Sequence, residues 1–569
     1  MRTSESAALR QKWIPTATPQ HGYRRVLVIG TTGSGKTTLI RQLLGTSVER
    51  VPATSSAKTT TVDTEVVPAP GDYYAVATFM SRDEVRARVE DNLVAAALAL
   101  ELQRPERVAA FKLFEHEDQR LRLPYVLGDP GPGPSWHEPY ASILGRLGEL
   151  AAAPGRGVSA DDEVALEEWY RADATIDAMA DELVARIEQA ILRLVGGQFV
   201  RGEGNWPDVW RVQHSDRAAF FDALRQVSSN EAALFGRLLT PIVNGLRLRG
   251  PFIPAWAPAP LRVTITDSEG LGHIAETAAA LPSTLVERFD EVEAIVLVDN
   301  GSQPMQAASQ AALRRIATAG HLGKVIICFT HLDQVGGPNI QWEHQRQALL
   351  HHSLEQALGG LASALGPAGR STLKQLADER TFYLGSLDRD LDLHADRPMI
   401  EELHRLVTVL HQPDATAVPV EPSRLRAEQL VEAVRQTFGE FCGRWGNRLG
   451  QRAGGAAVHW NTLKAFAGRV AQGSAEEYGE LRPVAELAAI LADHLNRAAA
   501  GQGWGSEPTA DLSDAFLREV NRSVLASARA HLITGPQAIW ALAAACKHRL
   551  GAHQERDRGQ PDPSPRAWT

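Results

Sequence analysis

The chain has 569 residues, more than a single hydrophobic core usually organises, so we expect about two to four domains. Hydrophobic residues make up 44% and charged residues 22% of the chain, as in globular proteins and unlike disordered ones. The formal charge of -9 argues against a protein that is drawn as a whole to nucleic acid or to anionic lipid.

The sequence carries no run of about 18 apolar residues that would suit a membrane-spanning helix. Its first residues lack the charged start and apolar stretch of a secretory signal, and we therefore expect a cytoplasmic protein. The three cysteines, Cys328, Cys442 and Cys546, show no paired spacing. This spacing argues against a disulfide framework or a cysteine zinc site.

The first predicted elements are a strand at residues 24–29 (RRVLVI) and a helix at residues 38–45 (TLIRQLLG), which Gly45 is expected to cap. Between them lies GTTGSGKT, which matches GxxxxGK[ST], the pattern of a phosphate-binding loop. The chain has only eight lysines, so a chance match to this pattern is rare. In such a loop, Lys36 reaches the terminal phosphates and the Thr37 hydroxyl binds Mg²⁺. The predicted phosphate-contacting residues are Gly30, Thr31, Thr32, Gly33, Ser34, Gly35, Lys36, Thr37 and Thr38.

A polar stretch at residues 55–66 (SSAKTTTVDTEV) follows, just ahead of a predicted strand. We interpret it as a nucleotide-sensing segment in which Thr60 or Thr61 supplies a further ligand to Mg²⁺. The alternative is an ordinary polar loop, which has the same composition.

Residues 81–254 are predicted to be a helical insertion. The strands at 72–80 and from Leu261 onward are expected to be antiparallel partners at its base. Apolar residues recur every three or four positions along residues 176–194, as on one face of a helix. This face could contact a partner or lie on a membrane, but packing in the core of a helical subdomain is the favoured interpretation.

Three further strands are predicted after the insertion. Residues 261–270 (LRVTITDSEG) end in DxxG, in which Asp267 would hold Mg²⁺ through a water molecule and the amide of Gly270 would contact the γ-phosphate. Apolar strands follow at 293–300 and at 323–333, and the second of these ends in THLD.

In this order of motifs the chain resembles P-loop GTPases of the translation-factor-related class, which includes Ras-like, septin-like and dynamin-like proteins. The resemblance implies an α/β fold in which helices cover both faces of a mostly parallel sheet. Thr330 and Asp333 match the family's guanine motif [NT]KxD, whose aspartate pairs with the base, while His331 replaces the lysine. The strand at 380–388 stands where the family places its last base-contacting loop, which makes Gly385, Ser386 and Leu387 candidates. With His331 in the motif, adenine remains an alternative base.

The position after DxxG bears on hydrolysis. Ras-like proteins orient the attacking water with a glutamine there, whereas this chain has Leu271, so we expect slow intrinsic hydrolysis. Substitutes are Thr32, His273 or a group supplied across a dimer, although His273 is more simply a residue at a helix start. The predicted catalytic residues are Lys36, Thr32, Thr60 and Gly270.

A helix at 396–410 is expected to end the G domain, and a Pro-rich linker and a helical bundle are expected to follow it. Helices on both sides of a G domain resemble the architecture of dynamin-like proteins, but the sequence shows no polybasic loop in support of membrane association. The predicted domains are a flexible N-terminus (1–22), the G domain (23–80 and 255–411), the insertion (81–254), the linker (412–423), a C-terminal helical domain (424–551) and a disordered tail (552–569).

The sequence thus predicts a GTP-binding protein that hydrolyses GTP to GDP and phosphate and whose helical regions transmit the nucleotide state. Its expected partners are GTP or GDP, with Mg²⁺ as cofactor, and a second copy of the chain in a homodimer or higher oligomer. Nucleic acid is not expected as a partner. Two alternatives stay open, an ATP-hydrolysing protein of the same fold and a nucleotide-dependent oligomerising scaffold that hydrolyses little.

Overall fold

The computed structural model describes most of the chain up to residue 449 and isolated parts beyond it. The described residues are 3–46, 63–114, 121–128, 140–153, 163–267, 281–337, 340–362, 367–411, 427–449, 458, 463, 466, 477, 481–499, 519, 522, 523 and 526. The chain divides into two compact units, the first made of residues 1–270 and 384–411 and the second of residues 271–383 and 412–569. The residues predicted as the G domain are therefore shared between the two units.

Strands and helices alternate along the described residues. The strands are β1 Arg24–Gly30, β2 Asp63–Pro68, β3 Tyr73–Phe79, β4 Gly197–Arg201, β5 Pro207–His214, β6 Val243–Gly250, β7 Val263–Asp267, β8 Ala294–Asn300, β9 Val325–Thr330 and β10 Thr381–Tyr383. The helices are α1 Thr3–Trp13, α2 Lys36–Leu44, α3 Arg82–Glu101, α4 Glu106–Phe114, α5 Leu123–Leu127, α6 Tyr140–Ala152, α7 Glu163–Arg171, α8 Ala174–Leu192, α9 Arg217–Ser228, α10 Ser283–Glu291, α11 Ala307–Thr318, α12 Glu343–Ala362, α13 Pro367–Glu379, α14 Arg397–His411, α15 Ala427–Arg448 and α16 Pro483–Ala499.

The first unit is built on strands in the order β1-β7-β2-β6-β3-β5-β4. Strand β1 pairs in parallel with β7, which pairs on its other side with antiparallel β2. The apolar run from Val26 to Ile29 is fully buried, as expected for a strand that is covered on both faces. The predicted strand therefore forms, and it leads directly into the glycine-rich loop.

The helical part of the insertion folds as its sequence predicts. Ser81 and Glu84 form a reciprocal capping box, with bonds of 3.2 and 2.9 Å, and this box starts α3. On α8, Ile176, Leu183 and Ile187 are fully buried. This burial confirms that the apolar face of α8 packs in a core and does not lie on a membrane.

The prediction that residues 81–254 form a helical insertion is wrong for residues 197–201, 207–214 and 243–250, which form strands. Strands β4, β5 and β6 lie there, and β5 and β6 both pair antiparallel with β3. The expected pairing of β3 with β7 is also wrong, because β6 and β2 lie between them. Residues such as Val209 and Trp210 are neighbours in sequence and both buried, so the polar-apolar alternation that marks a strand is missing.

The prediction of a flexible N-terminus is wrong for residues 3–13, which form α1 and pack against β3 and β6. Arg10 is 1% exposed, and its Nη1 donates to Thr78 Oγ1 at 2.7 Å. Asn244 Nδ2 donates to Ser6 Oγ at 2.9 Å. The helix is held by buried polar contacts with distant strands, so its own polar sequence gave no sign of burial.

The second unit contains three parallel strands in the order β10-β9-β8. Its helices α15 and α16 pack together, and Trp445 Nε1 and Arg448 Nη1 both donate to Glu486 Oε2, at 2.9 and 2.8 Å. These helices confirm the start of the predicted C-terminal helical region.

Other C-terminal predictions lie wholly or mostly outside the described residues. They are the linker at 412–423, the helices at 460–470, 512–531 and 536–550, and the tail at 552–569. Among the residues that the structure describes, no helix is long and apolar enough to cross a membrane.

Candidate functional site

The turn between β1 and α2 has the backbone of a phosphate-binding loop. Gly33 and Gly35 adopt φ angles of 77° and 82°, which residues with a Cβ atom rarely adopt. Ser34 N donates to Thr31 O at 3.2 Å, and Leu39 N donates to Gly35 O at 2.9 Å, which makes the first turn of α2. The helix therefore begins with its N-terminal amide groups and positive dipole end at the loop, where an anion is stabilised.

The side chain of Lys36 folds back onto the backbone of this loop. Its ammonium nitrogen donates to the carbonyl oxygens of Gly30 and Thr31, at 2.8 and 2.9 Å. Burial lowers the pKa of Lys36, and the negative charge of Asp267 acts against this by raising it. The loop thus holds a cation at its centre and a carboxylate close by.

Asp267 ends β7 and lies beside both neighbouring strands. Its register partners are Val28 on β1 and Thr64 on β2, and it is 6% exposed. Thr37, at the start of α2, and Asp267 line the same cavity, so that cavity has both a hydroxyl and a carboxylate in its lining. Both are hard oxygen donors of the kind that Mg²⁺ prefers, and this donor set fits the predicted ion.

The predicted residues Thr60, Thr61, Gly270, Leu271 and His273 lie outside the described residues.

A second loop of the first unit, which follows residue 384, is attached to α2. Gln42 Nε2 donates to the carbonyl oxygens of Leu387 and Arg389, at 2.9 and 2.7 Å. Ser386 adopts a φ of 53°, in the left-handed region. Arg389 forms two bonds of 2.6 Å with the carboxylate of Asp396, which closes the loop on its other side. The structure thus brings Ser386 and Leu387 onto the helix that carries the phosphate-binding loop.

Gln42 was not predicted from the sequence to belong to the site. Gln42 is the seventh residue of α2, and the leucines of this helix are buried. A polar side chain beside buried leucines was the available signal that Gln42 has a specific hydrogen-bond partner.

In the second unit, the predicted base-recognition residues gather at the end of β9. Thr330 is 2% exposed, and its hydroxyl donates to Asp299 O at 3.2 Å and lies 2.8 Å from His331 Nδ1. His331 has a φ of 55° and starts the short helical turn Leu332–Gln334, which exposes Asp333. Histidine enters this left-handed region more readily than most residues. Thr330 and His331 therefore shape the turn that presents the Asp333 carboxylate.

Asp299, at the end of β8, is a second residue that sequence analysis missed. It is 2% exposed and accepts bonds from Met305 N at 2.6 Å and from Ser309 Oγ at 2.5 Å. Burial raises the pKa of Asp299, and the two bonds oppose that rise. A single carboxylate at the end of the apolar run 294–298 was the available signal. Its role is to fix the loop after β8 beside the Thr330 turn.

Comparison with known proteins gives a family match at the start of the chain. The family described as PduV-EutP, ethanolamine utilisation - propanediol utilisation, matches residues 23–104, a minor part of the 569 residues. The match begins before β1 and runs through the phosphate-binding loop, α2, β2 and β3 to the end of α3. No curated protein matches the chain.

Two solved structures, both described as an oligomerised bacterial dynamin pair that senses and tethers membranes over long range, are similar over most of the chain. One is 9% identical, covers 96% of this chain and 77% of its own, and has a TM-score of 0.29. The other is 10% identical, covers 97% and 78%, and has a TM-score of 0.27. Scores this low establish neither a shared fold nor a shared activity. The glycine-rich loop, the parallel strands beside it and the family match show an α/β P-loop fold with additional helical regions.

Proposed function

We propose that the chain is a GTPase of the translation-factor-related class that binds GTP with Mg²⁺ and hydrolyses it to GDP and phosphate. The observation that carries this proposal is the loop from Gly30 to Lys36. This loop contains two glycines with positive φ angles and leads into the N-terminus of α2. The ammonium group of Lys36 lies on the carbonyl oxygens of the same loop. Backbone amides and an ammonium arranged in this way bind a diphosphate without needing large rearrangement.

The proposed Mg²⁺ ligands are the side-chain oxygen atoms beside the loop. Thr37 would bind Mg²⁺ directly, Asp267 would hold it through a water molecule, and Thr60 or Thr61 would supply a further hydroxyl. When bound, Mg²⁺ neutralises charge on the β- and γ-phosphates.

Hydrolysis in the proposed mechanism is an in-line displacement. The oxygen of a water molecule forms a bond to the γ-phosphorus while the bond from that phosphorus to the β–γ bridging oxygen breaks. The electron pair stays with GDP, and the proton of the water passes to the released phosphate. Lys36 and the loop amides stabilise the charge that develops on the transferred group. With Leu271 in place of a water-orienting glutamine, we expect the reaction to be slow.

Guanine selection is assigned to Asp333, which the turn after β9 exposes, and to the loop that carries Ser386 and Leu387. The carboxylate would pair with the ring N–H and exocyclic amine of guanine. Adenine is the second candidate base, because His331 stands where the family has lysine.

Competition of unlabelled GTP and ATP against a fluorescent guanine nucleotide separates the two bases. We expect GTP to displace the probe at a concentration at least about tenfold below that of ATP, the factor that one charged hydrogen bond supplies. Equal displacement by ATP would make the guanine assignment wrong. An Asp333→Asn variant should narrow the difference between the affinities for the two nucleotides. An Asp378→Asn variant, which changes an exposed carboxylate on α13, should leave that difference unchanged.

Because Leu271 replaces the water-orienting glutamine, the chain could instead be an oligomerising scaffold that binds nucleotide and hydrolyses little of it. The scaffold and the GTPase differ in the rate at which they release phosphate. Phosphate release from GTP is measured per molecule as the protein concentration is raised. A rate that rises with concentration supports hydrolysis assisted by a second copy. A rate near zero at every concentration would favour a scaffold and contradict the GTPase proposal.

A further inference from the structure

Two aromatic rings stack at the ends of the parallel strands β9 and β10. Tyr383, the last residue of β10, is the register partner of Phe329, and their ring centroids lie 5.9 Å apart with an angle of 10° between the ring planes. Phe329 is fully buried and directly precedes Thr330, at which β9 ends. Tyr383 therefore lies beside the strand end that leads into the turn Leu332–Gln334, which exposes Asp333 and is called the Asp333 turn below.

The hydroxyl of Tyr383 reaches α12, the helix that follows this turn in the chain. It lies 3.0 Å from Nδ1 of His351. Nε2 of the same ring lies 3.6 Å from Oε1 of Glu355, one helical turn further along α12. Because an ionised carboxylate only accepts hydrogen bonds, it places the proton of the neutral ring on Nε2, and Nδ1 then accepts a hydrogen bond from Tyr383. This bond ties α12 to β10.

Helix α12 in turn packs on the Asp333 turn. Leu350, the neighbour of His351, is fully buried, and Val335, which directly follows the turn, is 4% exposed. Both converge on Gly301, where an added Cβ would lie 3.2 Å from Leu350 Cδ1 and 3.3 Å from Val335 Cγ2. One end of the turn that carries Asp333 is therefore packed against the same stretch of α12 that His351 ties to β10.

We propose that Tyr383 and His351 are positioning residues that hold the Asp333 carboxylate in place for recognition of the base. This inference rests on the proposed function and adds two residues to its base-recognition site, neither of which is assigned a contact with the nucleotide. Asp333 is exposed on a short turn, so its orientation depends on the residues packed behind that turn. The hydrogen bond fixes α12 against β10, and α12 supports the turn through Leu350 and Val335.

The test separates binding of the base from binding of the phosphates. Calorimetric titration at a fixed Mg²⁺ concentration gives the affinity of the full chain for GDP and for pyrophosphate, which has two linked phosphates but no base. Tyr383→Phe keeps the aromatic ring and removes the hydroxyl. We expect this variant to bind GDP roughly fivefold more weakly, the effect of losing about one neutral hydrogen bond, and to bind pyrophosphate as wild type does.

Three further variants show whether the hydroxyl acts as proposed. His351→Gln should stay within about twofold of wild type for GDP, because glutamine also offers an acceptor to Tyr383. Tyr23→Phe is the matched control, because Tyr23 is also a half-buried tyrosine and its hydroxyl donates to the carbonyl oxygen of Pro68 at 2.8 Å. It should bind GDP like wild type. In Asp333→Asn, adding Tyr383→Phe should weaken GDP binding no further, since the hydroxyl acts through the Asp333 carboxylate.

Thermal denaturation of the nucleotide-free variants checks that each is folded. If Tyr383→Phe does not fold, His351→Ala replaces it and is expected to give the same loss of GDP affinity. Unchanged GDP binding in a folded Tyr383→Phe would overturn the inference and leave the proposed function standing. Equal weakening of GDP and pyrophosphate would overturn it as well, because a general loss of structure acts on both ligands. The same holds for a full fivefold loss that persists in Asp333→Asn, or for an equal loss in Tyr23→Phe. A wild type that binds neither GDP nor pyrophosphate would refute the proposed function together with the inference.

Discussion

Gln42 joins α2 to the loop proposed to contact the base, and its removal should loosen that loop selectively. The side chain donates two hydrogen bonds, of 2.9 Å to Leu387 O and 2.7 Å to Arg389 O. Each is worth about 0.5–1.5 kcal/mol net, and the bond to Arg389 is exposed to solvent, so the pair should contribute about 1.5 kcal/mol. That energy corresponds to a roughly tenfold change in the opening equilibrium of the loop.

Native-state hydrogen exchange measures this equilibrium directly. In Gln42→Ala, we expect amides in residues 385–392 to exchange about tenfold faster, while amides of β1 stay as protected as in wild type. Affinity for GDP should fall by at most the same factor. Gln356→Ala is the control, because Gln356 is exposed on α12 and, within the part of the chain that the structure describes, its side chain hydrogen-bonds only with His352. Unchanged exchange in residues 385–392 would refute the assignment of Gln42 as the anchor of this loop.

Three further predictions concern stability. An added Cβ at Gly45 overlaps the carbonyl of Ile253, whereas Gly204 has nearly the same φ, 62° against 60°, and open space around it. Gly45→Ala should therefore lower the free energy of unfolding in urea by about 2 kcal/mol more than Gly204→Ala, and equal losses would show that the overlap is relieved. Arg247→Met leaves the mostly buried carboxylate of Glu65, 14% exposed, without its partner and should cost about 3 kcal/mol in the same assay, and a cost below about 1 kcal/mol would contradict the role of this ion pair. Because the pKa of Asp299 is raised in the folded state, its contribution to stability is present at acid pH and is lost as the pH rises above its ordinary value of 3.8. Relative to Asp299→Asn, the wild type should lose stability between about pH 4 and neutrality, and a difference that does not change with pH would contradict this.

The parts of the site that the sequence predicts well are those set by neighbouring residues. The strand before Gly30, the left-handed glycines and the cap of α2 at Gly45 are all local features. Gly45 adopts φ 60°, as a helix-ending glycine is expected to. The THLD turn likewise follows a strand that is apolar throughout. Local geometry can be predicted from a sequence because the conformational preference of each residue acts on positions only a few residues away.

The features that escaped prediction depend on residues far apart in the chain. Gln42 contacts Leu387 across 345 positions, and Arg10 contacts Thr78 across 68. Helix α1 and strands β4 to β6 take their places because of partners that no local pattern names. Where a strand is buried on both faces, as at Val209 and Trp210, its alternation also disappears. The register that sets Thr64 beside Asp267 belongs to the same class, since pairing is decided by the whole sheet.

Every proposed role in this chain requires that GTP binds at the Lys36 loop, and calorimetric titration of the purified chain with GTP and Mg²⁺ measures that binding. We expect a one-to-one complex for the wild type and at least a hundredfold weaker binding for Lys36→Ala, about the effect of losing a buried charge-assisted contact. Lys374→Ala, which removes an exposed lysine of α13, should bind like wild type. No heat of binding in the wild type, or equal affinity in Lys36→Ala, would contradict the claim.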